Sequence, residues 1–150
     1  MIACFGEIQT VLVSAGIVSG ILWPKPDRRR TAAQRAASEA RGKRLCTALG
    51  VHQASPLNDK VLRNSVEHID ERFEDHYARH GPGPHPDFSI VVAAPPGYVF
   101  PPSAPRGYVV PTNEVWLFGD RRDLQAIALA MWNLADSFSV PITLRRAVKP

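Results

Sequence analysis

The stretch SPLNDKVLRNSVEHIDERFEDHYARH, residues 55–80, carries the most regular pattern in the chain. Leu62, Val66, Ile69, Phe73 and Tyr77 recur at spacings of four, three, four and four, which lays one apolar stripe along a helix. Ser55-Pro56 reads as an N-cap followed by proline at the first helical position. Gly81-Pro82 reads as a left-handed cap and a stop. The spacing therefore predicts one continuous helix with the rest of the protein packed around it. Arg63 and Glu67 line one shoulder of its stripe, and Asn64, His68 and Arg72 line the other.

Upstream, residues 1–23 form an apolar segment with Glu7 as its only charge. Phe5, Ile8, Leu12, Ala15, Val18 and Leu22 keep helical spacing, and Trp23-Pro24 ends the run. A secretory signal would begin with basic residues, and Met1 to Gly6 has none. The stretch from Ile8 to Trp23 is shorter than the ~20 residues that cross a bilayer, so a buried first helix is expected rather than a membrane anchor. The linker PKPDRRR follows, and then Thr31 and Gln34 at capping-box spacing open an alanine- and arginine-rich helix that Gly50 stops.

Downstream, the segment 82–113 holds nine of the 14 prolines, which excludes a helix through it. Ser89–Ala93, Tyr108–Val110 and Glu114–Phe118 are short β-branched and aromatic runs of strand character. Asp120 reads as the N-cap of a last helix with Leu124, Ile127, Met131, Leu134 and Phe138 on its core face, and a basic tail, ITLRRAVKP, closes the chain. The 150 residues and the 45% hydrophobic content suit one domain with a real core. The expected architecture is mainly α: a four-helix up-and-down bundle with a Pro-rich, partly β insertion before the last helix.

Arg63-Asn64-x-x-x-His68, on a long helix of an expected bundle, resembles the arginine–histidine signature of the HEPN superfamily (higher eukaryotes and prokaryotes nucleotide-binding). The resemblance implies a single HEPN-like helical domain over residues 1–150. It also implies an RNA-binding protein of a defence or toxin system that cleaves RNA without a metal as a homodimer. In that reading Arg63 clamps phosphate, His68 transfers a proton and Asn64 orients the histidine or the substrate. This chain departs from the subgroup with tyrosine after the histidine, because Ile69 stands there. Within one helix Arg63 and His68 point to opposite shoulders, so only a two-fold pairing of copies would bring them together.

The alternative is a non-catalytic helical module for dimerisation or for a cognate protein partner, with Arg63–Glu67 and Asn64–His68 as ordinary pairs four residues apart. Residues 25–44 carry eight of the 18 lysines and arginines. Arg28, Arg29, Arg30, Arg35, Arg41, Lys43 and Arg44 make a candidate patch for nucleic-acid phosphates. His76, His80 and His85, with Asp75 or Asp87, fall short of a convergent metal set, so no metal and no cofactor are expected. Cys4 and Cys46 form no metal spacing and read as reduced thiols of a cytoplasmic protein. No glycine-rich phosphate loop and no Ser/His/Asp set is present.

Overall fold

A computed structural model describes residues 2–83 and 86–138. Helix α1 spans Ile2–Leu22 and α2 spans Ala32–Ala48. Residues 55–80 form two helices, α3 at Lys60–Glu67 and α4 at Ile69–His80. Strands β1 (Ser89–Val91), β2 (Arg106–Val109), β3 (Glu114–Leu117) and β4 (Asp120–Asp123) make one sheet in that order, and α5 spans Leu124–Ser137. β1 runs parallel to β2, while β2, β3 and β4 form an antiparallel meander.

This corrects the expectation of a four-helix up-and-down bundle: the described residues form five α-helices and a four-stranded mixed sheet. Two physical reasons account for the difference. The Pro-rich segment contributes two strands that pair with each other, and the second pairs with β3 beyond it, so the segment is part of a sheet layer and not an insertion over a bundle. The run Asp120-Arg-Arg-Asp123, expected to open the last helix, pairs with β3 as a charged edge strand, a common protection against edge-to-edge association. The cap of α5 moves to Asp123, whose carboxylate accepts from the Ala126 amide at 2.9 Å.

The expected single helix over 55–80 breaks at His68, whose φ of −123° and ψ of 43° leave the helical region. Its start also differs. Ser55-Pro56 sits in a turn, and Asp59 caps α3 by accepting from the Val61 and Leu62 amides at 2.8 and 3.0 Å. Across the break, Arg72 Nη2 donates to Ser65 Oγ and to Asp120 Oδ2, both at 3.2 Å. The break lets α3 lie along α1 while α4 turns to the sheet. There Phe73 meets Phe118 edge-on at 5.1 Å, and buried His76 bonds the Ser103 carbonyl through Nε2 at 3.1 Å.

Helix α1, rather than the 55–80 stretch, is the spine: it packs against α2, α3 and α5. Gly16 lies against Val66, where a Cβ would make an ordinary contact at 3.5 Å with the valine side chain. Its Phe5–Leu22 window has 18 residues and a mean hydropathy of 1.5, long and apolar enough by composition to cross a membrane; 39% of it is buried within the fold. Ile8, Leu12 and Ala15 join Leu57, Leu62, Val115, Leu117, Ile127 and Leu134 in the main core.

The sheet separates that core from a smaller one. Val115 and Leu117 face the helices, whereas Val109 and Trp116 face the loop 92–105. Gly107 pairs with Trp116, and the Phe100 ring lies where a Cβ at Gly107 would be, 2.3 Å from its nearest carbon. Phe118 and Gly119 turn β3 into β4 with φ of 50° and 95°, the left-handed pair of a type I′ hairpin. A phenylalanine there is strained; its ring contacts with Phe73 and with the Arg72 guanidinium at 5.5 Å offset the backbone cost. Arg106 grips Asp87 with two hydrogen bonds, at 3.0 and 2.6 Å, and its guanidinium lies 3.6 Å from the Phe88 ring centre.

Helix α2 carries the capping box read from the sequence, with Thr31 Oγ1 accepting from the Gln34 amide at 3.2 Å and Gln34 Oε1 accepting from the Thr31 amide at 2.9 Å. Only Gly42 of this helix is buried, where α2 crosses the end of α1. A Cβ there would stand 2.4 Å from the Leu22 carbonyl oxygen and 2.8 Å from Pro24 Cδ. Gly42→Val is expected to undock α2 while the rest stays folded. Cys46, whose thiol faces the Leu22 carbonyl at 3.7 Å and is raised above the usual thiol pKa by burial, would then alkylate about tenfold faster. Peptide-resolved alkylation kinetics at neutral pH check this; an unchanged rate would show that the crossing does not hold α2.

Candidate functional site

Helices α1, α2 and α3 converge at the end of α1, and a cleft of about 600 Å³ opens there. One wall is the α1 terminus and the chain after it: Leu22, Trp23, Pro24, Lys25 and Pro26. Arg35, Ser38, Glu39, Lys43 and Cys46 come from α2 and its helical spacing, and Lys60, Arg63 and Asn64 from α3. Gln53 and Asn58 close it from the loop between them. Five cations thus reach one cleft from three separate segments, against a single lining carboxylate.

The structure divides the Arg63-Asn64-His68 motif. Arg63 and Asn64 line the cleft, and His68 does not. Arg63 was expected on an open shoulder; it is 3% exposed, and its Nη1 donates to the Trp23 carbonyl at 2.6 Å. Helix α1 has no basic residue in its own last turn, so Arg63 supplies the positive charge and the donor that the terminal carbonyls lack. The Arg63 Nε atom is 4.0 Å from Glu67 Oε1, a loose approach. Asn64 Oδ1 accepts from Lys25 Nζ, which also pairs with Glu67 at 2.8 Å. His68 is half exposed at the break and faces Glu71, 3.4 Å from Nδ1. Arg63 and His68 therefore do not share a site within one chain, as their opposite shoulders implied.

The basic segment divides as well. Arg35 and Lys43 line the cleft, while Arg41 and Arg44 fall on the opposite face of α2 at about 100° per residue. Arg28, Arg29 and Arg30 are exposed and do not line the cleft, although Arg30 Nη1 donates to Ser38 Oγ at 3.0 Å. Lys43 pairs with Glu39 at 2.9 Å, and the lysine's hydrogen bond and charge hold the Glu39 carboxyl below its usual pKa. Both that pair and Lys25–Glu67 are solvated, so their mutual hold is weak and a phosphate can displace either carboxylate. Lys25, Lys60 and Trp23 are cleft residues that sequence reasoning did not single out. Lys25 belonged to the basic segment, but nothing local marks Lys60 or Trp23.

Of the histidine cluster, His76 is buried and bonded to the Ser103 carbonyl. His76 and His80 have ring centres 4.5 Å apart, and Asp87 is held by Arg106. His85 and the basic tail lie outside the described residues. Among the described residues no group of three or more His, Cys, Asp or Glu side chains is placed to hold a metal ion.

The burial contrast within the motif has a measurable consequence. Arg63→Ala leaves the Trp23 carbonyl without its charged donor and should destabilise the fold by about 1.5–3 kcal/mol. His68→Ala should stay within about 0.5 kcal/mol of the parent, as exposed substitutions usually do. Urea unfolding of the two variants checks this, and equal stabilities would refute the capping role of Arg63.

No family model, curated protein or solved structure matches this chain, so the chemistry of the cleft rests on its own geometry.

Proposed function

We propose that this protein binds RNA through the cleft between α1, α2 and α3, gripping backbone phosphates with Lys25, Arg35, Lys43 and Lys60, while buried Arg63 adds its charge from within the fold. The single observation that carries this reading is the convergence of those five cations from segments far apart in sequence. Charge brought together from three elements in a concave site raises the local potential more than the same charges spread along one solvated helix. Arg35 and Lys60 have no carboxylate partner among the described residues; Arg35 Nη1 donates to the Arg30 carbonyl, so neither positive charge is neutralised by an acid. The net charge of +4 favours the same class of partner.

The reading keeps the RNA-binding part of what the HEPN resemblance implies. It stops at binding, because Arg63 is committed to the Trp23 carbonyl and His68 stands outside the cleft. Grip on phosphates by lysine and arginine is a sequence-independent interaction whose strength falls with salt.

Fluorescence anisotropy with labelled RNA tests the proposal. Binding should weaken with salt along a log–log slope of about −2 to −3, as expected for three to four single-strand phosphate contacts. Arg35→Glu combined with Lys60→Glu should weaken binding by about tenfold or more. Neither is a core residue, and an acid at Lys60 suits the start of α3. Arg41→Glu combined with Arg44→Glu, on the far face of α2, should weaken it much less. Equal losses from the two pairs would show a diffuse basic surface instead of a site.

A further inference from the structure

We infer that the cleft selects single-stranded over duplex RNA by holding an unpaired base against Trp23, an inference that rests on the RNA-binding reading above. The cleft is two-sided. Its cations stand mainly on α2 and α3, whereas the α1 side presents Leu22, Trp23, Pro24 and Pro26. A site for phosphate alone has no use for such a wall; a nucleotide presents both a charged backbone and an apolar face.

Trp23 is half-buried, and its indole Nε1 is shielded without a hydrogen-bond partner. Part of the ring packs against the main core and its polar edge is turned away from solvent, so the side-chain surface left to the cleft is carbon. Pro24 and Pro26 flank it with rigid rings and a fixed backbone angle, so the wall is in place before a ligand arrives. Arg63 reinforces this by bonding the Trp23 carbonyl at 2.6 Å, which fixes the backbone from which the indole projects. A volume of about 600 Å³ falls within the range of sites that enclose one small ligand. Lys25, next but one to Trp23, and Lys43 face the same space, so a base on the indole keeps its own phosphate within reach of a cation. A duplex keeps its bases paired and stacked inside and offers this wall only sugar and phosphate.

The test compares three RNAs of about 12 nucleotides, within the span of known single-strand sites, by anisotropy with the full chain: an oligouridine, an abasic strand of equal charge, and a duplex. The oligouridine should bind about tenfold more tightly than the abasic strand and the duplex. Trp23→Leu should close the gap between oligouridine and abasic strand while preserving abasic affinity, and Trp23→Phe should keep the gap. Equal wild-type affinity for oligouridine and abasic strand would overturn the base inference and leave phosphate binding standing. Binding to none of the three would remove the RNA reading itself, and this inference with it. Circular dichroism shows whether Trp23→Leu folds; if it does not, the wild-type comparison with the abasic strand decides alone.

Discussion

The end of α1 is the point on which the rest of the molecule depends. A helix finishes with carbonyls that its own backbone cannot satisfy, and an end inside a protein needs donors from elsewhere. Here the Trp23 carbonyl takes the Arg63 guanidinium, and the Leu22 carbonyl is covered by α2 at Gly42 with the Cys46 thiol beside it. Meeting that requirement fixes where α2 and α3 lie relative to the spine. The cleft is the space left between three elements drawn to one helix end. Its positive charge follows from the same need, since Arg63 is both the cap and part of the lining.

A second junction is built around arginines rather than carbonyls. Arg106 reaches from β2 to Asp87 and lies against Phe88, with Phe73 of α4 on another side at 4.6 Å. Arg72 joins α3, α4 and the β3–β4 hairpin through Ser65, Asp120 and the Phe118 ring. Arg122 pairs with Asp59 and ties β4 to the cap of α3. Planar guanidinium groups can bond carboxylates and stack on rings at once, which suits a boundary between a helical layer and a sheet.

Much of the local structure was legible in the residues. Trp23-Pro24, the Thr31–Gln34 box and Gly50 mark their helix ends, because caps and stops act within a few positions. The runs at 89, 108 and 114 are strands for the reason their composition suggests. The break at His68 was hidden because no proline or glycine marks it and the apolar spacing continues across it. It exists because α1 and the sheet need differently aimed helices, which is a tertiary demand. β4 was hidden because a run of four charged residues strands only when a neighbour supplies the ladder. The role of Arg63 was illegible for a similar reason: the carbonyl it caps lies 40 positions away. Of the candidate site, the motif's first two residues and two of seven basic ones reach the cleft.

Helix α2 fully buries only Gly42, with Arg35, Ser38, Leu45 and Cys46 partly buried, so its place in the fold rests on one glycine crossing and a thin line of side chains beside it. Little apolar area holds it, so its opening costs far less than global unfolding. Five of the fifteen residues that line the cleft are carried on this lightly buried element. Any ligand that spans α2 and α3 would hold the two helices together, and part of its affinity would be consumed where it restricts their relative motion. Occupancy and rigidity are thereby linked: the site tightens where the chain is loosest, and α2 reports the event through its own loss of motion.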